Sequence, residues 1–335
     1  MKILCVGDQH YKFVLSYSSS FEDGRRNEWE QVIRTIHNSA KECDAVVLLG
    51  DGFNARHNHS TVIRDFIDFL NGFGEKEVHI LVGNHERYSL STALDFLKSF
   101  GKKNWHVYDE PTQITVGDKT AMMIPFMTPS LLGVENIDQG NLELAKRLKK
   151  SDMAFAHLAI SGASSTEFFN EIILDRKVMS EMFNVVYGGH LHRYEKIEDN
   201  VYIAGSIFTQ EVGEHDKRIF ILDTDTNKHE EIFLPVRGIY KEEWSSDSEK
   251  KLGAMPSTSI VKCVVIKRET DIALVRETLK RFDASILIEQ YDNERSKIHF
   301  EDSALDFSVD SLLKMYSESK KIQYTDLLEG FNFIR

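Results

Sequence analysis

The stretch Val46-Val47-Leu48-Leu49 runs straight into Gly50-Asp51, and that ending constrains the fold more than anything else in the chain. A short aliphatic run bounded by a turn reads as a buried strand. Glycine on each side of Asp51 lets the backbone turn sharply there. An ionised carboxylate at the mouth of an apolar strand is costly unless a cation neutralises it. A lone Gly-Asp reads as a surface turn, but this pattern recurs. Lys2 to Val6 ends in Gly7-Asp8-Gln9-His10, and Glu77 to Val82 ends in Gly83-Asn84-His85-Glu86.

Helical periodicity fills the gaps between these strands. Trp29, Val32, Ile33 and Ile36 fall on one helical face. Val62, Phe66, Phe69 and Leu70 mark a second helix, and Ala93, Phe96, Leu97 and Phe100 a third. Strand–helix alternation is the α/β pattern, in which ligands gather at the carboxyl ends of strands. Ser16 to Arg26 is a polar loop, and Phe53 to His59 reads as a solvated loop despite Arg56, His57 and His59.

The following segment is richer in strands. Ala121 to Pro125 is a strand, and Leu142, Ala145 and Leu148 suggest a helix. Met153 to Ala156 delivers His157, and Asn184 to Tyr187 delivers Gly188-Gly189-His190-Leu191-His192. Val201 to Ala204, Arg218 to Leu222 and Glu230 to Leu234 are expected to complete a second sheet. Lys241 to Ser257, charged and serine-rich with Gly253 and Pro256, reads as a linker. Beyond it come a strand (Ile260 to Ile266), a helix (Ile272, Val275, Leu279, Phe282) and strands at Ser285 to Tyr291 and Lys297 to Phe300. This is a compact β-α-β-β unit. An apolar helical stripe follows at Val309, Leu312, Leu313 and Tyr316, then a short segment at Tyr324 to Phe333.

Length and composition narrow the class. A chain of 335 residues implies one large domain plus a small one. No apolar stretch approaches the ~18 residues of a membrane-spanning helix, so no membrane is expected. Met1-Lys2-Ile3 enters a strand directly, and no signal peptide is expected. The three cysteines, Cys5, Cys43 and Cys263, are far apart and read as buried thiols in a reducing cytoplasm. A net charge of −12 counts against a broad basic face for nucleic acid, though not against a local basic patch or a partner that supplies the grip.

Asp8 and His10 are two apart, as are His190 and His192, so in extended backbone each pair leaves on one side. With Asp51, Asn84 and His157 they make seven candidate ligands. Their mixed N/O character suits Mn²⁺, Fe²⁺ or Zn²⁺ better than Mg²⁺ or Ca²⁺. Seven are too many for one tetrahedral site and suit two ions ~3.5–4 Å apart with a bridging carboxylate. Such a pair clamps a phosphate and activates water. His85, beside Asn84, would steady developing charge or protonate the leaving oxygen.

Gly7-Asp8-x-His10, Gly50-Asp51, Gly83-Asn84-His85-Glu86, His157 and Gly189-His190-x-His192 together resemble the motif set of calcineurin-like metallophosphoesterases, in order across residues 1–235. The resemblance implies an α/β, two-sheet metallophosphoesterase sandwich flanked by helices, with a small α+β capping domain. It implies that Asp8, His10, Asp51 and His192 hold one metal, that Asp51, Asn84, His157 and His190 hold the other, and that His85 is catalytic. Val185 to Arg193, Tyr202 to Ser206 and Glu211 to Glu214 look like the SbcD-type DNA repair nucleases, the bacterial and phage relatives of the meiotic recombination eleven nuclease. That likeness implies a nuclease domain at 1–240, a linker at 241–257, a capping domain at 258–303 and a C-terminal helical segment at 304–335. It further implies Mn²⁺, DNA as substrate, an SbcC-type coiled-coil ABC ATPase partner, a homodimer through helices such as Trp29 to Ile36, and the cytoplasm, the host's if the chain is phage-encoded.

The chain departs from that family in places. Asn54 stands where Asp or His is usual, Gln9 and Tyr11 replace Trp and Leu, and Glu86 replaces Asp. The competing expectation is a small-molecule phosphodiesterase or phosphatase of the same superfamily. A scaffold without catalysis is a third, disfavoured by the presence of all seven ligands with His85.

Overall fold

In the computed structural model, β1 (Lys2–Val6), α1 (Glu22–Ala40), β2 (Ala45–Leu48), α2 (Ser60–Asn71), β3 (Glu77–Leu81), α3 (Asp95–Ser99) and β4 (Trp105–Tyr108) alternate as the periodicity anticipates. The structure describes residues 1–11, 22–88, 91–163, 171–266, 271–282 and 284–290, with Ser317, Gln323 and Thr325. The parallel ladders β1–β2, β2–β3 and β3–β4 build the first sheet. Their central residues are mostly apolar because both faces are covered, with His79 of β3 and His106 of β4 as exceptions. Leu4, Val6, Val46 and Leu48 pack with Val32 and Ile36 of α1 and Val62, Phe66 and Phe69 of α2. Ile3, Cys5, Val47 and Leu49 point the other way, toward Met123, Met153, Phe155 and Tyr187.

Those opposing residues belong to a second sheet. The chain continues through β5 (Thr112–Val116), β6 (Lys119–Ile124), α4 (Ile137–Arg147), β7 (Ser151–Ala156), the short pair β8 (Ala159–Ile160) and β9 (Ile173–Leu174), α5 (Arg176–Met182), β10 (Phe183–Gly188), β11 (Glu195–Glu198) and β12 (Val201–Ile203). Six of these strands order as β11-β12-β10-β7-β6-β5. Leu144 of α4 and Met179 of α5 cover the outer face of that sheet. The result is a mixed α/β sandwich, two sheets face to face with helices outside.

The helix expected around Leu142 forms as α4, and two other expectations are corrected. β13 (Arg218–Asp223) and β14 (Lys228–Phe233) join the first sheet, not the second. β13 runs antiparallel to β1, with Ile3 opposite Leu222; an apolar strand pattern fits either sheet, and a pairing 219 residues away (222 − 3) leaves no local trace. Leu142 is 65% exposed, because α4 turns Gly140 and Leu144 inward instead. The stretch read as a linker is ordered: it holds the end of β15 (Ile239–Glu243) and α6 (Ser248–Ala254).

β15 pairs in parallel with β16 (Ile260–Ile266), and β16 with β17 (Ala284–Gln290). Leu252 of α6 and Val275 and Leu279 of α7 (Ile272–Leu279) pack on Val261, Cys263 and Val265 of this small sheet. Met1–Gln290 is one compact unit and Tyr291–Arg335 a second. The expected strand at Lys297 to Phe300 and the stripe from Val309 to Tyr316 lie outside the described residues, as does nearly all of Tyr324 to Phe333. Among the described residues, no helix is long and apolar enough to cross a membrane.

The β3–β4 pairing sets buried His79 beside His106. The His79 ring stacks on His106 and on Tyr108, and its Nδ1 lies 2.8 Å from the Tyr108 hydroxyl. Burial, then His106, pushes His79 down to about 4, with Glu77 pulling weakly the other way. A depressed histidine stabilises the fold fully above its ordinary value near 6.5, and that share is lost as pH falls toward 4. The urea midpoint of the wild type should therefore fall between pH 6.5 and 4. His79→Leu should flatten part of that slope; equal slopes in the two proteins would refute the assignment.

Candidate metal and phosphoester site

The loops at the carboxyl ends of β1, β2 and β3 are stitched together by their own backbones. The N–H groups of Gln9 and His10 both donate to the Asp51 carbonyl, at 3.1 and 2.8 Å. Tyr11 N–H donates to the Gly52 carbonyl at 2.8 Å. Glu86 clips the second loop to the third: its carboxylate accepts from Phe53 N–H at 2.6 Å and Gly83 N–H at 2.8 Å. From the second sheet, β7 delivers His157 and the turn after β10 delivers His190 and His192.

Five non-glycine residues have positive φ among the described residues, and three of them are candidate ligands: His10 (49°), Asp51 (47°) and His190 (77°). L-residues reach that region at a cost, and such strain collects at functional sites. Gly50 bends at φ 104°, where a Cβ would stand 2.2 Å from His157 Nδ1. A Cβ at Gly189 would stand 2.5 Å from Asp8 Oδ1. Only glycine lets these chains approach so closely.

All seven sequence-derived candidates converge. Asp8, His10, Asp51 and His157 are buried. His10 Nε2 faces His192 Nε2 at 2.9 Å and lies 3.8 Å from Asp51 Oδ2. His157 Nδ1 approaches the Leu49 carbonyl at 2.6 Å, while its Nε2 lies 3.3 Å from Asp51 Oδ2 and 3.0 Å from Asn84 Oδ1. The same Asn84 oxygen is 3.0 Å from His190 Nδ1. His190 N–H donates to both Asp8 oxygens, at 3.1 and 2.9 Å. Three overlapping trios could each hold a divalent ion, with donor atoms within 4.8 Å of one another: Asp8/His10/His192, His10/Asp51/His85 and Asp8/Asp51/His157.

The electrostatics call for a cation between the carboxylates. Burial raises the Asp8 carboxyl. Burial would raise Asp51 too, but His157, His10 and His85 hold it below the usual carboxylate range. Burial works against a charged His157 ring, yet Asp51 and Asp8 outweigh it and push His157 up to about 10. His10 is pushed down to about 3, chiefly by burial, and so keeps a neutral ring with a lone pair to offer. Four imidazoles, two carboxylates and an amide oxygen crowded round one pocket fit divalent metal well.

His85 differs from its neighbours. Its side chain is 38% exposed, whereas those of His10, Asp51 and His157 are 2% exposed or less. Its backbone N–H donates to Asp51 Oδ1 at 2.9 Å, and Nδ1 lies 2.8 Å from the Asn54 carbonyl. The ring is thus oriented by a backbone oxygen, so the identity of side chain 54 does not decide its pose. Nε2 is left facing Asp51 Oδ2 at 3.9 Å.

Sequence reasoning missed Glu171 and Lys217 altogether, and the supporting roles of Glu214 and Glu86. Glu171 sits 2.8 Å from His190 Nε2, and Glu214 sits 3.1 Å from His192 Nδ1. Lys217 grips Glu214 at 2.9 Å, and Glu86 clips the two loops. Glu214 and Lys217 are three apart, a weak signal; Glu171 offers none. In the loop read as solvated, His59 caps α2 by accepting from Thr61 N–H, and Tyr88 O–H donates to the Arg56 carbonyl at 2.7 Å.

Comparison with known proteins adds four findings. A family model described as calcineurin-like phosphoesterase matches residues 1–194. The putative phosphoesterase 244L of Invertebrate iridescent virus 6 is 22% identical over 231 residues, covering 66% of this chain and 75% of the viral protein. Among solved structures, an archaeal phosphodiesterase aligns over 70% of this chain and 100% of its own, at 17% identity and a TM-score of 0.37. TT1561 of Thermus thermophilus aligns over 70% and 98%, at 11% identity and a TM-score of 0.41.

Glu86 is fully buried and pushed up to about 8, by burial and then by Asp51. Glu86→Ala strands two buried N–H groups, each worth ~1–3 kcal/mol, and should destabilise by about 2–6 kcal/mol. Glu86→Gln keeps one acceptor and should cost less. Equilibrium urea unfolding checks the order; equal losses would mean that the two N–H groups do not depend on this side chain.

Proposed function

Because this chain belongs to the calcineurin-like phosphoesterase family, we propose that it is a two-metal phosphodiester hydrolase acting on DNA, the nuclease subunit of an SbcCD-type complex in end processing, repair or recombination. The observation that carries the hydrolase reading is the convergence of three donor trios on two buried carboxylates. In this reading Asp8, His10, Asp51 and His192 hold one ion and Asp51, Asn84, His157 and His190 the other, with Mn²⁺ the expected metal. The nuclease reading is supported by the segments around Val185 to Arg193 and Glu211 to Glu214, and by the small three-stranded unit that follows the phosphoesterase body.

Bound ions would supply Lewis acidity toward a phosphoryl oxygen and acidify an attacking water. The remaining work falls to the chain. Asn54 keeps the His85 ring aimed, because Nδ1–H stays on its carbonyl. The imidazolium form then carries its second proton on Nε2, over the substrate side. Transfer of that proton to the leaving oxygen leaves a neutral ring already oriented for the next cycle. Asp8, His10, Asp51 and His157 are closed to bulk water, while Arg56 and Arg193, exposed and close in sequence to Asn54 and His192, offer charge to flanking phosphates.

An acidic chain of net charge −12 needs help to hold DNA. We assign that help to an SbcC-type coiled-coil ABC ATPase bound through 304–335, with 258–303 as a capping domain. A homodimer would use the α1 face, where a groove of about 570 Å³ is lined by Tyr11, Trp29, Ile33, His37 and Phe69. The reading places the complex in the cytoplasm, or in the host cytoplasm if a phage encodes it.

His85→Ala should keep both ions and lower kcat by about 10²–10⁴-fold. Loss of metal in that variant would mean that His85 is a ligand. Asp51→Asn should lose at least one ion in a calorimetric Mn²⁺ titration. With Mn²⁺, linear duplex DNA should be cut. Turnover confined to a cyclic dinucleotide or a bis-phenyl phosphodiester, with or without the ATPase, would replace the nuclease reading by a small-molecule phosphodiesterase.

A further inference from the structure

We propose that Glu171 and Glu214 are positioning residues that decide which ring nitrogen each member of the His190-Leu191-His192 pair offers to a metal ion. The inference rests on the metal-binding reading above and extends it to two carboxylates outside the ligand set.

The two histidines are treated oppositely. His190 meets Glu171 through Nε2, at 2.8 Å, and His192 meets Glu214 through Nδ1, at 3.1 Å. An imidazole that donates one N–H to a carboxylate keeps its lone pair on the other nitrogen. His190 therefore presents Nδ1, which lies 3.0 Å from Asn84 Oδ1. His192 presents Nε2, which lies 2.9 Å from His10 Nε2. Two rings separated by one residue are thereby aimed at two different points. The left-handed backbone at His190 (φ 77°) turns that residue out of the extended path in which both rings would leave on one side.

Glu214 is built into the fold for this task. It is 4% exposed. Its Oε2 accepts from Gln210 N–H at 2.8 Å and pairs with Lys217 Nζ at 2.9 Å. Lys217, itself buried, also donates to the His192 carbonyl at 2.7 Å and to Ser206 Oγ at 2.7 Å. One ammonium thus holds both the carboxylate that orients the ring and the backbone of the ring's own residue. Burying such a pair is rarely the most stabilising choice, and here it fixes a geometry. Glu171 is the looser of the two, its side chain 34% exposed, so Glu214 should have the larger effect.

The test is calorimetric Mn²⁺ titration of the full chain and of Glu171→Gln, Glu214→Gln and the double variant. Thermal midpoints and ¹⁵N-imidazole spectra of the Zn²⁺-loaded proteins accompany it. Glutamine keeps an acceptor but removes the charge. Glu214→Gln should weaken one ion by about 10–100-fold, leave the other unchanged, and perturb the His192 nitrogen signals but not those of His190. Glu171→Gln should weaken the other ion, by less, and perturb only His190; the double variant should show both losses independently. Wild-type titrations in both single variants would overturn the inference while leaving the metal reading intact. Parallel loss of both ions with a fallen midpoint would overturn it in favour of a purely structural role. A wild-type chain that binds no ion would fell the metal reading first and this one with it. Should Glu214→Gln fail to fold, the half-buried position of Glu171 keeps the second variant decisive.

Discussion

Asp8 and Asp51 stand at the ends of neighbouring strands, both buried, with the His157 ring between them. Two carboxylates in that setting repel one another and have lost their water, so neither ionises comfortably without positive charge nearby. The surrounding structure answers this one problem. β1 and β2 are parallel neighbours, which brings both carboxylates to the same edge. The second sheet packs so that β7 presents His157 across the gap, 3.8 Å from Asp8 Oδ1 and 3.3 Å from Asp51 Oδ2. A site that demands a cation even of its own histidine is already organised for a divalent one.

That organisation is paid for by strain and tight packing around it. His10, Asp51 and His190 hold left-handed backbones because hydrogen bonds on several sides leave them no alternative: His10 N–H to Asp51, Asp51 to His85 N–H, His190 N–H to Asp8. Each of these bonds joins segments distant in sequence. The ligands therefore hold one another's loops, and the apolar layers beneath keep the strand ends from parting.

A second polar network ties the body to the small sheet. Glu28 of α1 is buried, pairs with Arg25 at 3.3 Å, and accepts from Arg237 Nε at 3.1 Å, just before β15 begins. Arg25 also donates to the Thr209 carbonyl at 2.8 Å and stacks over Phe208. One carboxylate thus anchors both the start of a helix on the first sheet and the chain's departure toward the three-stranded unit.

The elements and the ligand types were legible because their signals are local. An apolar run closing on Gly-Asp or Gly-Asn-His, and side chains at a spacing of two, can be seen in a few consecutive residues; so can the stripes of α1 and α2. What stayed hidden depends on residues far apart meeting in space. Nothing near Arg218 to Asp223 says that this strand lies against β1, since either sheet would bury the same side chains. Nothing near Glu171 marks it as a partner of His190, and the left-handed turn at His190 follows from its bonds to Asp8, not from its own preference. The amino-acid order by itself determined which groups would sit at strand ends and what metal chemistry they suit. Only the tertiary structure decided which nitrogen faces which oxygen, because that choice is made by contacts between separate segments, from Glu171 and His190, 19 residues apart, to Leu49 and His157, 108 apart.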